Sequence, residues 1–588
     1  VHSTPTAVSR PAEGYHLLYQ DGTYAQYYSE HEHRRHVIYF GGNDGMVHAV
    51  NAGFYDANNL AFRRGYDKAT QTFSDTGPEL GAELWAYVPY NLLPHLKCML
   101  DPEYQHKYFV DLKPRDFDVQ IFENTPDTLG HVIGWGTIMV IGMRFVGART
   151  TAQDIIDKVA PGAYTDSRIF TSAYMVFDIS DPLSPRLLGE MTYDTTSLIP
   201  SVDLAYTAAI PAVVPIKTDA DTSDWYLILG SGPTDVTGIS SQSAKIGVFP
   251  MSHFDSPAAY AFRIPDSPNI AWDNAGRFEL TDYAGQPITD GFVADTVTVD
   301  YDLYELFKAD VVYFGTVEGD WDTGWGGHLF RWVTNEGHPE SWNNPAAMID
   351  AGRPVTAAPT IGYDGINYWV YFGTGRFYDI KDKTDYAQEY FFGIKEPVDA
   401  DTYDFTWAYV ENDQTTVKPA TANDAGSRTL LPVGGIQVEK ATDPAFATLN
   451  CETGAAGCLP TGVGTFADLQ EYIVGTCIKD TGCSGSDGWV MDLEDLGERN
   501  LGQGALLGGL MTFTTYKPYL DICKPEGDAF LYGVYYQTGT AFYEPVFTTT
   551  ANGGTFTGDA GTTVVTSRLS IGRGLALSLI HISEPTRQ

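Results

Sequence analysis

The feature that most constrains this 588-residue chain is a strand–turn–strand unit that recurs along it. The unit is clearest in VIYFGGNDGMVHAVNA, Val37 to Ala52. There, apolar and aromatic residues run into Gly42-Asn43-Asp44-Gly45 before strand-forming residues resume. Asn-Asp-Gly supplies the positive φ angles of a tight hairpin turn. Related units begin at Ser172 (SAYMVFDISDPLSPRLLGEMTYD), at Trp225 (WYLILGSGPTD, returning at Ala244) and at Asp310 (DVVYFGTVEGDWDTGWGGHLFRWV). Others begin at Tyr368 (YWVYFGTGRFYD, returning at Tyr390), Gly488 (GWVMDLEDLGER) and Phe530 (FLYGVYYQTG). Four of them share an apolar strand ending in a Gly-rich corner: YFGG, ILGSG, YFGTV and YFGTG. Small sheets repeated around an axis are one way to protect the edges such hairpins expose. The seven units therefore predict an all-β fold, a β-propeller of seven blades with long irregular insertions, in preference to a β-sandwich.

Composition agrees. The 37 Tyr and 30 Phe favour strands, and the 60 Gly and 33 Pro favour turns. A hydrophobic fraction of 43% is enough for a large core. With 75 Asp+Glu against 36 Lys+Arg, the net charge of −39 excludes a nucleic-acid backbone as partner and suits a secreted or surface protein, or one that meets divalent cations. No run of about 18 apolar residues is present to span a membrane. The propeller is expected over residues 1–576, with insertions at 147–170 and 395–487 and little helix, the best candidates being Pro89–Met99 and Thr465–Val474. The chain reads as a piece of a longer secreted protein whose export signal lies upstream. Its last stretch, 577–588 (LSLIHISEPTRQ), reads as a sequencing-adapter translation rather than native protein. Of six cysteines, Cys451/Cys458 and Cys477/Cys483 close short Gly-containing loops, which predicts disulfides and an oxidising compartment; zinc is the weaker reading because no CxxC pair occurs.

Several segments in order resemble the C-terminal propeller of the PilY family, the secreted factors of type IV pilus biogenesis. They are VIYFGGNDGMVHAVNAGFYD, GAELWAYVPYNLLPHLK (Gly81 to Lys97), YFVDLKPRDFDVQIF (Tyr108 to Phe122), GWGTIMVIGMRFVG (Gly134 to Gly147), SAYMVFDISDP, LGSGPTD, DVVYFGT, PVTAAP (Pro354 to Pro359), YFGTGRF and the closing GWVMDLEDLGERNLGQGALLGGLMTFTTYKP and YGVYYQTGTAFYEPVF. The resemblance runs from Val1 to about Gly574. It implies a non-enzymatic protein at the pilus tip or outer-membrane surface, exported through the periplasm of a Gram-negative bacterium. Its implied partners are minor pilins on one side and a surface or host receptor on the other, with roles in assembly, retraction control and adhesion. It also implies a calcium loop before the DVVYFG strand, in VTVDYDLYELFKADVVYFG, with Asp300, Asp302 and Asp310 as ligands and Tyr304 contributing through its carbonyl. Asp300 and Asp302 have the alternate spacing that curls oxygens onto one ion, and Asp310 can close the loop; Tyr304 stands where a third acid or Asn is preferred, and no Gly permits a sharp turn.

Other candidates are weaker. Glu318, Asp320 and Asp322 read as an exposed hairpin tip before they read as a second cation site. His31, His33 and His36 in SEHEHRRHV could suit zinc or copper, but the adjacent Arg34 and Arg35 favour a polar surface loop. Trp321, Trp325 and Trp332 read as packing rather than as an adhesive patch. A quinoprotein dehydrogenase is the enzyme alternative; it is disfavoured by the absence of a Cys-Cys dipeptide and of periodic Trp, and no GxSxG, HExxH or P-loop occurs. A generic propeller binding glycans or proteins is the other alternative.

Overall fold

The computed structural model describes residues 3–104, 108–124, 129–146, 150–153, 167–192, 204–218, 223–254, 269–271, 276–301, 307–365, 367–396, 405, 407, 409–410, 412, 430–452, 458–475, 477–478, 482–483, 486–521, 527–547 and 552–575. The chain forms two compact units: Val1–Leu280 with Ile288–Val312 and Trp332–Pro345, and Thr281–Pro287 with Tyr313–Arg331 and Ala346–Gln588. Among the described residues, the first unit holds three sheets of four or five strands. Thr6–Val8, His36–Gly41, Val47–Asp56 and Ala61–Arg63 form the first, with Glu83–Tyr87 also on Val47–Asp56. The second has the order Asn269–Ala271, Arg186–Thr192, Tyr174–Asp178, Trp135–Gly142, Arg115–Gln120; the third is Ala212–Lys217, Ser223–Gly230, Lys245–Pro250, Gly276–Glu279. The residues of the fourth sheet, drawn from 291–350, fall partly in each unit. In the second unit lie the fifth (Thr360–Tyr363, Tyr368–Gly373, Tyr390–Glu396, Gly488–Asp492, Leu431–Pro432) and the sixth (Arg499–Asn500, Leu510–Pro518, Gly527–Tyr535, Arg568–Arg573, with Ala505–Leu507 on Leu510–Pro518).

The Gly-rich corners have a repeated geometric role. Gly41, Gly142, Gly230 and Gly373 each end the apolar strand of their sheet, and Gly315 follows the apolar half of strand Val311–Asp320. A Cβ on any of them would strike the segment that leads into the next sheet: Val110 O at 2.3 Å, Thr207 O at 2.7 Å, Val293 Cβ at 2.4 Å, Val355 O at 2.3 Å and Asn500 Cβ at 2.6 Å. At four corners the residue beside the glycine also accepts a backbone hydrogen bond from that incoming segment. The pairs are Val110 N–Gly42 O (3.3 Å), Val293 N–Ser231 O (2.9 Å), Val355 N–Thr316 O (3.0 Å) and Asn500 N–Thr374 O (2.9 Å). At the remaining corner Arg144 N donates to Thr207 Oγ1 instead. None of these five glycines has a positive φ, so they are required for close backbone approach rather than for a turn. In the Gly42–Gly45 turn, by contrast, only Gly45 is left-handed, at φ 91°.

The fold is an all-β propeller with six blades, not the seven expected. The unit starting at Gly488 is not a blade of its own. Gly488–Asp492 pairs antiparallel with Tyr390–Glu396 as an outer strand of the fifth sheet. Trp489 makes this pairing specific: its indole fills the space above Gly393, where a Cβ would lie 2.4 Å from the ring, and above Gly539, and its Nε1 donates to Tyr536 O at 3.0 Å.

The segment expected as loop at 395–487 is in its described parts a packed element. Leu431–Pro432 joins the fifth sheet, Ile436–Val438 pairs with Leu449–Cys451, and helix Phe466–Val474 is closed by a capping box between Thr465 and Asp468. Val438, Leu449, Phe466, Leu469 and Ile473 share one apolar core with Trp369 and Trp489. Buried Lys395 donates to Ile473 O and Val474 O, satisfying carbonyls at the helix end. Within 147–170, Thr150–Gln153 pairs with Ser167–Phe170. The stretch 577–588 lies outside the described residues.

Both expected helices form, the first as a 3₁₀ helix, Tyr90–Leu100. Its start is fixed by the buried Glu190 carboxylate, which accepts from Tyr87 OH (2.7 Å), Tyr90 N (2.7 Å), Asn91 N (3.1 Å) and Asn91 Nδ2 (2.7 Å). Gly22–Glu30 is a helix that the sequence reading missed. Asp21 caps it through Thr23 N and Tyr24 N, and Tyr24 and Tyr27 are buried beneath it.

Gly315→Ala is expected to lower stability by roughly 1–3 kcal/mol, because the new methyl meets a backbone carbonyl that cannot swing aside. Chemical denaturation against the wild type checks this, and an unchanged midpoint would show that the corner tolerates a side chain.

Candidate functional site

The loop expected to hold calcium lies between strand Gly291–Val299 and strand Val311–Asp320. Its two ends are brought together. Asp310 N donates to Val299 O at 2.9 Å, and the Asp310 carboxylate accepts from Tyr301 N at 2.5 Å, next to Asp300. Asp300 Oδ2 accepts from Tyr19 OH at 2.8 Å. Burial raises the Tyr19 phenol well above its ordinary range, and the charges of Asp300 and Asp310 push it the same way. Asp302 and Tyr304 lie outside the described residues.

The returning arm is anchored by Phe307, which is buried. Its ring stacks on Tyr15 (5.1 Å, 6° between planes) and packs against Tyr19 at 5.2 Å, Trp225 at 5.9 Å and Trp135 at 6.2 Å. Lys217 N donates to Phe307 O at 3.1 Å, and the Lys217 ammonium lies 5.0 Å from the ring centroid while pairing with Asp21. The N-terminal segment from Tyr15 to Asp21 therefore touches both arms. Two half-buried carboxylates at the mouth of one loop are the hard oxygen donors a divalent cation of the calcium type requires, although such an ion takes about six to eight oxygens. Among the described residues no group of three or more His, Cys, Asp or Glu side chains converges on one point, so the described part of the loop fits calcium only as a partial ligand set.

The other candidates resolve as structure. Asp320 Oδ1 accepts from Asp322 N, Thr323 N and Thr323 Oγ1, an exposed turn folded on itself, while Glu318 pairs with His328 Nδ1 at 2.8 Å. The SEHEHRRHV segment is exposed at Ser29, Glu30, Glu32 and His33, as a polar surface turn would be, but its arginines are not. Arg34 is buried and donates to Thr137 Oγ1 at 2.8 Å; Arg35 is buried, donates to Asn51 Oδ1 at 2.7 Å and lies 4.6 Å over Phe54. The three histidines diverge: His31 Nε2 meets Gly130 O at 2.7 Å, His33 packs on Tyr66 and His36 on Phe62. Burial, with the Arg34 charge adding to it, pushes His31 down to about 4. The tryptophans pack as expected: Trp321 meets Trp325 edge-on at 5.3 Å, the buried Arg376 guanidinium lies 3.4 Å from the Trp325 centroid, and Trp332 is fully buried.

Asp44 and His48 lie near each other in the first hairpin, which by itself is ordinary, but the structure adds Glu83 from a neighbouring strand. His48 Nε2 lies 2.9 Å from Asp44 Oδ2 and His48 Nδ1 2.9 Å from Glu83 Oε2. Burial opposes the imidazolium, but the hydrogen bonds to Glu83 and Asp44 outweigh it and hold the group above its ordinary value. Cys451 and Cys458 form the expected disulfide, with Cα atoms 5.8 Å apart. Cys477 and Cys483 stand opposite each other in a two-residue ladder, Cys477–Ile478 against Gly482–Cys483.

No family model matches the chain. Two curated proteins of Xylella fastidiosa (strain Temecula1 / ATCC 700964), each named type IV pilus biogenesis factor PilY1 homolog, are similar to it. One is 22% identical over 515 residues, 84% of this chain and 25% of its own length. The other is 23% identical over 548 residues, 90% of this chain and 31% of its own length. The chain thus spans only between those fractions, 25% and 31%, of the curated relatives it matches. Among solved structures, the C-terminal domain of Pseudomonas aeruginosa PilY1 aligns with a TM-score of 0.53 at 15% identity, covering 96% of this chain and 93% of that domain. Fold and relatives agree with the PilY-type C-terminal propeller that the ordered motifs resemble.

Two outcomes follow for the side chains. Because His48 gains its partners on folding and its folded value is raised, its contribution is complete below its unfolded value of about 6.5 and is lost as pH rises through the folded one. His48→Gln should therefore lie furthest below wild type in thermal stability below about pH 6.5 and approach it as pH rises through the folded value; a gap that widens with pH contradicts this assignment. Peptide mapping without reductant should also recover Cys477 linked to Cys483, and quantitative alkylation of both in the native, unreduced protein would rule that bond out.

Proposed function

We propose that this chain is the C-terminal propeller of a secreted type IV pilus biogenesis factor, acting by binding rather than by catalysis at the pilus tip or outer-membrane surface of a Gram-negative bacterium. The observation that carries this reading is coverage. A PilY1 C-terminal domain structure aligns over 96% of the chain, and both curated relatives named as PilY1 homologs align over more than four-fifths of it. Within each unit, sheets clasped at glycine corners make a scaffold. The insertions and loops carried on it supply contact surface for minor pilins, and for a surface or host receptor in adhesion. Support for assembly and opposition to retraction belong to the same reading, since both need a protein docked on the pilus. The acidic surface, at −39 for the chain, makes association sensitive to divalent ions through screening alone.

Calcium is the proposed modulator. Asp300 and Asp310 would hold it together with Asp302 and the Tyr304 carbonyl. A bound cation would supply charge neutralisation between the carboxylates and so favour one loop conformation. The chain's own residues prepare that loop: Phe307 seats its returning arm, and Tyr19 orients Asp300.

A pull-down with minor pilins from the same organism should retain them on the wild-type chain, and a quinone-dependent dye-reduction assay should stay at background. Turnover in that assay without pilin retention would replace this reading with the dehydrogenase one. In calorimetry, calcium should give a saturable heat with wild type and none with Asp300→Ala plus Asp302→Ala; equal heats for the two would remove the loop as the binding site.

A further inference from the structure

We propose that His48 is a proton-operated lock on the first glycine corner: while its ring is protonated it ties the Gly42–Gly45 turn to strand Glu83–Tyr87, and loss of that proton frees the turn and the segments seated on it. The proposal concerns the scaffold of the first unit and is independent of the calcium reading. Its basis is geometric. His48 Nε2 lies 2.9 Å from Asp44 Oδ2, and Nδ1 lies 2.9 Å from Glu83 Oε2. Only the imidazolium carries an N–H on both nitrogens. The neutral ring has one, so its other nitrogen turns a lone pair toward a carboxylate, and one of the two contacts must give way. Glu83 belongs to a strand laddered to Val47–Val50 through its backbone. Asp44 stands half-exposed in the turn. The turn is the side that yields.

Two parts of the first unit are seated on this turn. The first is the segment entering the second sheet: Val110 N donates to Gly42 O at 3.3 Å and Phe109 N to Asn43 Oδ1 at 3.2 Å. The Val110 bond is the longest of the four backbone clasps at the glycine corners, the others being 2.9 to 3.0 Å. The second is helix Tyr90–Leu100, which lies so close over Gly45 that a Cβ there would stand 2.8 Å from Leu96 Cδ2, 3.2 Å from Met99 Cε and 3.3 Å from Leu92 Cδ2. The corner with the longest backbone clasp thus carries an ionic tie beside it. Opening the turn uncovers Leu92, Leu96 and Met99, on a helix where Leu93 and Leu100 are already exposed.

The surroundings fix the sense of the lock. On strand His36–Gly41, Phe40 stacks on the imidazole at 5.1 Å. On Glu83–Tyr87, Ala86 stands opposite His48, and Glu83 supplies the charge. The titratable groups of the helix are the half-buried His95 and the exposed Lys97. In the entering segment, Asp111 is held by Arg144 at 3.2 Å, and Lys113 is half-buried. Burial disfavours the charged ring, and Glu83 and Asp44 outweigh it. The lock is therefore closed on the acid side and opens as pH rises through the folded His48 value.

The test is amide hydrogen exchange on the whole chain, with each rate divided by its intrinsic value at the same pH. In wild type, protection at Gly42, Gly45, Phe109 and Val110 should fall about 10-fold or more as pH rises from about 6 through the folded His48 value. Ile138 and Val140, in strand Trp135–Gly142, should keep theirs. Glu83→Gln separates a lock from a merely structural contact. Its amide donates to Nδ1 of the neutral ring while Nε2–H donates to Asp44, so the turn should stay protected throughout and the pH step should vanish. His48→Gln should show low protection at every pH. Wild-type protection that stays level up to the pH of unfolding overturns the lock, and so does a wild-type step surviving in either variant. A fall that extends to Ile138 and Val140 is general loosening and overturns it as well. Should His48→Gln fail to fold, Glu83→Gln decides the matter.

Discussion

Successive sheets in this protein can follow one another only because five positions on their apolar strands, four of them strand ends, carry no side chain. At each corner the entering segment of the next sheet passes within van der Waals distance of a glycine, and at four of the five it donates a backbone hydrogen bond beside it. The interaction does two things at once. It satisfies a peptide group that would otherwise be stranded at a buried strand end, and it sets how closely one sheet follows another. Side chains can vary around it, because the contact is made by backbone. This is why the corners stand out in a sequence whose intervening segments vary so much in length.

The N-terminal segment depends on that scaffold and adds something to it. Helix Gly22–Glu30 lies against the second sheet through a polar network. Tyr24 OH and Thr137 Oγ1 both donate to Asp118, at 2.7 and 2.6 Å, and Arg34 donates to Thr137. Buried polar groups of this kind are tolerated when each has its partner, and they then specify one arrangement. The aromatic box of Tyr15, Tyr19, Trp135, Trp225 and Phe307 sits on the same foundation. The candidate cation loop is therefore less a free surface hairpin than an extension of a packed core.

Much of this was legible in the residues. The hairpins at Val37, Ser172, Trp225 and Tyr368 form where apolar strands flank turn residues, and Thr465 and Asp468 announce the helix they cap. The blade count was not legible. Gly488–Asp492 has the composition of a blade strand, and only the slot above Gly393 reveals which sheet accepts its tryptophan. The charge pattern of SEHEHRRHV misled for a related reason: arginine is a surface residue by default, and burying it depends on acceptors such as Thr137 and Asn51 that lie 103 and 16 residues away in the chain. The pairing of His48 with Glu83 was hidden in the same way, since Glu83 reaches it from a strand that only sheet formation places alongside.

By itself, then, the sequence determined the local alternatives: which segments are strands, where the chain turns, which strand ends are bare, which acids could share a loop and which cysteines lie close enough to join. These depend on backbone sterics and on neighbours a few residues away, so they are written in short motifs. Tertiary structure alone decided the number of sheets, the burial of Arg34 and Arg35, and the union of Tyr19 with Asp300 across the first unit. Each of those outcomes requires two surfaces to be brought together and freed of water, and desolvation belongs to the folded pair rather than to either segment of the chain.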